Sequence, residues 1–428
     1  MKVKLKEIAE VINGSTPSTK EPKYYDGDIV WITPKDLSDQ KSKYIYGGER
    51  RITKLGYDSC STKMIPENNI LMSSRAPIGL IAINKVECCT NQGFKSLIVD
   101  KSKCDVEYLY YYLKLHIKEI EALGSGTTFK EVSKASIEEY EIELPPLEAQ
   151  KNIASTLSLL DEKIPINNKV ITKLESIIKM LYAYWFLQFE FPNEDGKPYK
   201  SSGGKMVWNE EMKREIPESW EVRKVKDCLV HINTGLNPRD HFVLNDGEIK
   251  YITVKNLTTM GELNFAGCDM ISEKTKKIIN RRSMISKGDI LFASIAPLGR
   301  CYMIREDPKE WEINESVFSI RHNDKLSSEY LYQYFMSDYF IKKAEHSSTG
   351  SVFAGIRITT LQEMDIVVPT KKVLEHFTKK VSNLYDLKHK ISIENQKLAA
   401  LRDFLLPLLM NGQVTFKENK YGLARICW

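Results

Sequence analysis

Long apolar runs are missing from this chain. No stretch approaches the roughly 20 residues a membrane span needs, and Met1-Lys2-Val3-Lys4-Leu5-Lys6 opens the sequence without the apolar core of a signal peptide. A cytoplasmic protein is expected, with no membrane among its partners. Cysteines at metal-binding spacing are missing too. Apart from the adjacent Cys88-Cys89, the eight cysteines are scattered and none forms Cys-x-x-Cys, so neither a zinc site nor a disulfide framework is indicated. Reduced, mostly buried thiols are expected. Charge bias is mild: a net +5 permits nucleic-acid binding but does not argue for it, since only clustered cations would.

Catalytic signatures are equally scarce. No Gly-x-x-x-x-Gly-Lys-Ser/Thr loop supports ATP hydrolysis. A base methyltransferase needs a glycine-rich cofactor loop after a strand, yet Gly124-Ser125-Gly126 follows a helical pattern, and Pro145-Pro146 lies between Leu144 and Leu147 without the polar residue and aromatic such an enzyme requires. Asp240 with Glu248-Ile249-Lys250 only loosely matches a metal-dependent nuclease triplet, and Val30 replaces Lys250 in the first repeat described below. The seven histidines form no constellation. No cofactor or metal is expected on this chain, and a binding or adaptor role is.

What is present is a duplication. Trp31-Ile32-Thr33-Pro34-Lys35-Asp36-Leu37 returns 220 residues later as Tyr251-Ile252-Thr253-Val254-Lys255-Asn256-Leu257, and Ile70–Gly79 returns at the same offset as Ile290–Gly299. Tyr108-Leu109-Tyr110 matches Tyr330-Leu331-Tyr332, and Ser125–Phe129 matches Thr349–Phe353. A repeat of about half the chain suits two copies of one domain. Each copy starts with short β-rich runs (Ile29–Ile32, Ile70–Met72 and Leu80–Ile83 in the first), followed by a helix expected over Val106–Leu123.

Each copy ends in a heptad seam. Ile153, Leu157, Leu160, Ile164, Ile171, Leu174, Ile178, Leu181 and Trp185 alternate steps of three and four, with Asn167 in the missing slot. In the second copy Leu384, Leu387, Ile391, Leu398, Leu401, Leu405 and Leu408 repeat the pattern, with Glu394 in the slot of Asn167. Two such seams are expected to pair antiparallel, their shared polar layer fixing register. Pro165 should kink the first helix or remove one backbone bond.

Leu144-Pro145-Pro146-Leu147-Glu148-Ala149-Gln150-Lys151-Asn152-Ile153-Ala154 resembles the Leu-Pro-Pro-Leu-x-x-Gln-x-x-Ile-Ala entry to the first conserved helix of type I restriction-modification specificity subunits. Tyr184-Trp185-Phe186, Phe189–Pro192 and Gly196–Gly204 resemble that family's central segment. Ile216-Pro217-Glu218-Ser219-Trp220-Glu221-Val222 is similar to the start of its second target recognition domain, and Leu405–Gln413 to its C-terminal end. One departure stands out: Val367-Val368-Pro369-Thr370-Lys371 enters the second helix without the Pro-Pro-Leu-x-x-Gln form.

The resemblance implies an α+β fold of two tandem target recognition domains separated by a pair of long antiparallel coiled-coil helices, a pseudo-twofold internal repeat. The expected divisions are domain 1 over 1–146, helix 1 over 147–190, a linker over 191–216, domain 2 over 217–370, helix 2 over 371–413 and a tail over 414–428. It implies double-stranded DNA as partner, two methyltransferase subunits, and endonuclease/translocase subunits in a full complex. S-adenosylmethionine, ATP and Mg would belong to those partners. The role implied is non-catalytic: to read a bipartite sequence, one half-site per domain, for restriction and modification or for modification alone. A duplicated protein-binding scaffold is the more distant alternative.

Base reading needs donors and acceptors, and phosphate positioning needs cations and hydroxyls, both best displayed on loops. The candidates in the first domain are Thr16, Ser18, Thr19, Lys20, Thr33, Lys35, Ser73, Ser74, Arg75, Asn91, Gln92, Ser125, Thr127 and Thr128. In the second they are Asn237, Arg239, Thr253, Lys255, Ser294, Asn314, Glu315, Thr349 and Ser351. The repeat keeps the loop positions and changes the side chains: Arg75 becomes Ile295 and Gln92 becomes Glu315. Two readers of different half-sites should differ in this way. Lys35 and Lys255, alike in both copies, suit phosphate better than bases.

Overall fold

A computed structural model describes the chain except for residues 39, 41, 127–129, 240, 348–354, 419–423 and 428. It divides into two compact units, Met1–Ile166 with Asn395–Trp428, and Asn167–Glu394. Both long helices therefore contribute to each unit: the first runs Leu147–Tyr182 and the second Lys371–Met410. Among the described residues, no helix is long and apolar enough to cross a membrane.

In the first unit a five-stranded sheet is ordered Ala9–Asn13, Lys95–Val99, Ile70–Ser74, Ile78–Asn84, Tyr44–Ile45. Beside it a three-stranded sheet places Tyr25–Ile32 between Arg50–Ile52 and Cys89–Thr90. The second unit repeats the plan. Leu229–Thr234, Val317–His322, Ile290–Ala293 and Cys301–Met303 make a four-stranded sheet, and Ile249–Ile252 lies between Asp269–Ile271 and Trp311–Ile313. The β-rich runs anticipated in the sequence are strands in each case.

Equivalent residues do equivalent work. Tyr108 and Tyr330 are buried on the helices Val106–Leu115 and Ser328–Phe335, and each donates its hydroxyl to a carbonyl of its domain's final strand, Glu143 O at 3.0 Å and Val367 O at 2.6 Å. Gly79 and Gly299 both have positive φ (92° and 84°), and a Cβ there would come within 2.4 Å of Ile117 and 2.6 Å of Ile341. Ala76-Pro77 and Ala296-Pro297 are both cis. The expected helix over Val106–Leu123 is two helices, Val106–Leu115 and Ile117–Ala122. His116 leaves the helical region (ψ 18°), stacks on Tyr112 at 4.4 Å and bonds Glu119 at 2.8 Å, which turns Ile117 onto Gly79.

The helices pair antiparallel, as the seams predicted. In the second unit Asn167 Nδ2 donates to Glu394 Oε2 at 2.8 Å, Lys388 binds Glu175, and Trp185 meets His376 and Phe377 with ring centroids 5.3 and 5.8 Å apart. In the first, Arg402 pairs with Asp161 at 2.6 Å, and Ile153 and Leu157 share a core with Leu405, Leu406 and Leu409. The helix runs through Pro165, which has no N–H to return to the Asp161 carbonyl.

The second seam departs from its leucine pattern. Leu387 and Leu401 are each 45% exposed, while Val381, Tyr385 and Lys388 occupy inward slots. Lys388 accounts for the shift near Leu387. The residue is 5% exposed, and its ammonium is satisfied by Glu175 and by Met260 O at 2.7 Å, so the helix presents this position inward instead of the leucine beside it.

The two helix entries also differ for a visible reason. Gln150, 1% exposed, accepts from Asp105 N at 2.8 Å and donates to Lys103 O and Pro145 O at 3.2 and 2.8 Å, fastening the first helix to the turn that caps Val106–Leu115. In the second unit Phe377 is buried against Tyr182, Trp185 and Phe186, so aromatic packing replaces a hydrogen-bonded amide. The stretch expected as a linker over 191–216 holds most of a hairpin, Met206–Asn209 with Arg214–Pro217. Phe191 stacks on Tyr199 and Trp220 at 4.6 and 4.9 Å and orders this segment. The tail, for which no pattern was legible, forms strands Thr415–Glu418 and Ala424–Cys427. Cys60, Cys88, Cys89, Cys104, Cys228, Cys268 and Cys301 are free.

A charged cluster fastens the first domain to its helix. Lys43, 7% exposed, donates to Glu107 Oε2 at 3.0 Å and Ser158 Oγ at 2.6 Å, and Glu107 also accepts from Tyr44 and Ser158. Burial pushes the Glu107 carboxyl up, but Ser158, Tyr44 and Lys43 together outweigh it and hold the group below the usual carboxylate range. A carboxyl with a depressed value stabilises the fold above its ordinary value and loses that contribution as pH falls through the folded value. Unfolding of the wild type should therefore become easier as pH drops below the ordinary glutamate value. Glu107→Gln should lower stability at neutral pH by on the order of 2 kcal/mol and flatten that acid dependence, measured by denaturant titration across pH.

Candidate nucleic-acid interface

Each unit builds one loop cluster at the end of its sheets, by the same local rules. The chain leaves strand Ala9–Asn13 at Gly14 and strand Leu229–Thr234 at Gly235. A Cβ at Gly14 would lie 1.8 Å from Asn91 O, and one at Gly235 would lie 1.7 Å from Ile313 O. Only glycine permits this approach, which brings the loop after the first strand against the loop at Asn91–Gln92 or Asn314–Glu315. An aromatic clamps the outgoing loop in each unit: Trp31 Nε1 donates to Ser15 O at 3.2 Å, and the Tyr251 hydroxyl donates to Leu236 O. Burial and then the Glu315 carboxylate push the Tyr251 hydroxyl above its usual range.

Several anticipated residues turn out to build this frame. Thr33 donates from its N–H and hydroxyl to Asp36 Oδ2 at 2.7 and 2.6 Å, and Thr253 donates in the same way to Asn256 Oδ1 at 2.8 and 3.0 Å. Asn91 Oδ1 accepts from Gly93 N at 2.9 Å, and Asn314 Oδ1 accepts from Ser316 N at 3.0 Å. Ser73 and Ser74 are 0% and 1% exposed. Ser73 accepts from Leu80 N at 2.8 Å and donates to Pro77 O at 2.7 Å, so it holds the turn behind the surface. Ser294, 8% exposed, donates to Ser316 O at 2.8 Å.

Other candidates stand at the tips. Thr16 donates to Gln92 in the first unit, and Asn237 Nδ2 donates to Glu315 Oε1 at 2.9 Å at the equivalent place in the second. Arg75 and Ser125 are joined through Glu131, which pairs with the Arg75 guanidinium at 3.7 Å and exchanges backbone bonds with Ser125 at 3.0 and 3.1 Å. The buried Lys95 also bonds Glu131, at 3.0 Å. The second unit has Ile295 bridged to Gly355 in this position. Ser18, Thr19, Lys20, Arg239 and Lys255 are exposed. Lys35 is exposed as well and pairs with Glu49 at 2.7 Å. Thr127, Thr128, Thr349, Ser351 and Asp240 lie outside the described residues. Among the described residues, no group of three or more His, Cys, Asp or Glu could hold a metal ion.

A strongly cationic helix went unread in the sequence. Helix Glu273–Ser283 carries Lys274, Lys276, Lys277, Arg281 and Arg282, where the first unit has only the short helix Lys54–Asp58. With Lys309 it lines a cleft of about 400 Å³. Among the described residues, no carboxylate lies within ion-pair distance of these five cations. Three lysines in the first half of a helix oppose its dipole, so stability alone does not explain them. Arg282 reaches Asn233 Oδ1 at 3.3 Å, just before the Gly235 loop. The signal is a local charge count, with no counterpart in the first repeat.

The sequence pattern of the type I restriction modification DNA specificity domain matches residues 1–176 and 217–402. The chain is 33% identical to the type I restriction enzyme MjaIX specificity subunit of Methanocaldococcus jannaschii, over 97% of this chain and 93% of that one. It is 25% identical to the MjaVIII specificity subunit of the same organism, over 98% and 94%. Its fold is similar to that of a type I restriction-modification S subunit from M. genitalium, with a TM-score of 0.58 at 17% identity, covering 96% of this chain and 95% of the other.

The close backbone approach yields a direct expectation. Gly235→Ala should destabilise the second unit by about 1–3 kcal/mol, seen as a lowered denaturation midpoint, because the obstructing Ile313 O is a backbone atom within a sheet strand. Alanine at Gly267, where nothing lies within 4 Å of a Cβ but φ is +67°, should cost less, on the order of 1 kcal/mol.

Proposed function

The chain belongs to the type I restriction-modification specificity family, a non-catalytic class of DNA-recognition subunit, and from that premise we propose that it reads a bipartite DNA sequence with one half-site per unit. The observation that carries this reading is the loop cluster built twice. The same glycine approach, aromatic clamp and capped turn recur in both units, while the tips differ: Thr16, Gln92 and Arg75 in one, Asn237, Glu315 and Ile295 in the other. A shared frame with divergent tips suits two readers of different sequences.

Phosphate contacts would come from Lys20 in the first unit, and from Lys255 and helix Glu273–Ser283 in the second, with Lys35 shared between Glu49 and the backbone. Arg75 would read guanine from the first unit. Two methyltransferase subunits, and endonuclease/translocase subunits in a full complex, would supply S-adenosylmethionine, ATP and Mg chemistry in the cytoplasm. Large apolar side chains exposed on the long helices offer these partners a surface: Leu159 and Phe404 (69% and 55%) in the first unit, Ile177 and Met180 (47% and 61%) in the second.

Co-expression with the methyltransferase subunit and mapping of methylated bases should reveal two short half-sites at a fixed gap. Methylation no different from that of the methyltransferase alone, with both proteins folded, would rule the proposal out. Lys277→Ala and Arg281→Ala should each reduce the slope of log affinity against log salt by about one unit, leaving the methylated sequence unchanged. A changed sequence preference would move these cations from phosphate to bases.

A further inference from the structure

The two tip pairs are built from different chemistry, and the difference fixes what one of them can recognise. In the first unit the amide belongs to Gln92 and its partner is the Thr16 hydroxyl. In the second the amide belongs to Asn237 and its partner is the Glu315 carboxylate, at 2.9 Å. A hydroxyl can donate or accept, so Thr16 tolerates either face of the Gln92 amide. A carboxylate only accepts, so Glu315 must face the Asn237 NH2 and never its carbonyl. Asn237 is therefore locked in one orientation.

The lock leaves a defined edge. One amide hydrogen is spent on Glu315, while the other hydrogen and Oδ1 have no partner among the described residues. Glu315 does not compete for the ligand. Its Oε1 is engaged by Asn237, and its Oε2 is buried without a hydrogen-bond partner. Asn237 itself lies partly exposed on the loop between the Gly235 approach and the exposed Arg239. One donor and one acceptor remain on this amide, the complement of the adenine N7 and N6 edge, which alone among single-base edges in the major groove pairs an acceptor with a donor.

We infer that Asn237 reads an adenine in the half-site bound by the second unit, and that Glu315 is the positioning residue that sets its orientation. This rests on the bipartite-reader proposal above and names a base for it. The test uses the co-expressed complex with the methyltransferase subunit and sequences methylated sites in random DNA. Asn237→Ala should relax a single A·T position of the second half-site, lowering its preference on the order of tenfold, and leave the first half-site intact. Glu315→Ala should relax the same position, and so should Glu315→Gln, whose amide can donate as well as accept and no longer fixes the Asn237 orientation. A merely structural role for Glu315 would weaken methylation without changing the sequence at that position.

An unchanged motif in Asn237→Ala overturns the inference, as does relaxation at a G·C position. Should Asn237→Ala abolish methylation altogether, Asn237→Ser decides: a motif relaxed at the A·T position supports the inference, and an unaltered motif overturns it. A wild-type complex with no bipartite motif would instead defeat the underlying proposal, an outcome distinct from any of these.

Discussion

Neither compact unit can be closed by a continuous run of sequence from one helix alone. The first takes Leu147–Ile166 from one long helix and Asn395–Met410 from the other, and its core joins Ile153 and Leu157 to Leu405, Leu406 and Leu409. The second takes the remaining halves, with Ile178, Tyr182 and Trp185 against Phe377, Val381 and Tyr385. Antiparallel pairing is thus a condition for both cores to exclude water. The ionic contacts along the helices, Arg402 with Asp161 and Lys388 with Glu175, set register where leucines alone would permit sliding.

On this foundation the loops divide into parts that are fixed and parts that vary. Gly14 and Gly235, the Trp31 and Tyr251 clamps and the Thr33 and Thr253 caps do the same mechanical work in both units. Rigid frames hold contact atoms in place better than mobile loops do, so on the proposed reading a change of tip residue would alter recognition without rebuilding the fold. The charge around Glu131 illustrates the freedom available. Arg75 and Lys95 converge on it in the first unit, and the second has Ile295 and Gly355 in the equivalent bridge.

The repeat and the heptads made much of the fold legible, because both are periodic signals that survive without neighbours. The Asn167 and Glu394 layer could be read from sequence since both occupied one slot of a regular pattern, and they bond each other. Individual burial was harder. Lys388 displaces the leucine seam because carbonyls of a distant loop satisfy its charge, and no local pattern encodes that. At the loop clusters, residue type suggested contact for Ser73, Thr33 and Asn314, yet Ser73 and Asn314 are taken up by neighbouring backbone and the Thr33 hydroxyl by the Asp36 carboxylate. A polar loop residue can face either way, and only the three-dimensional frame decides. Helix Glu273–Ser283 was missed for the opposite reason: it belongs to one copy only, and comparison of repeats is blind to what is not repeated.

The division of the long helices gives the polypeptide an order of completion. Residues 167–394 form a continuous stretch, so every segment of the second unit has been made before residue 395 is added. The first unit starts earlier and finishes later, since its core waits for Leu405, Leu406 and Leu409. During synthesis the amino-terminal domain leaves the ribosome with an apolar flank uncovered and keeps it until the last helix arrives. Of the two units, the one begun earlier is the one closed later.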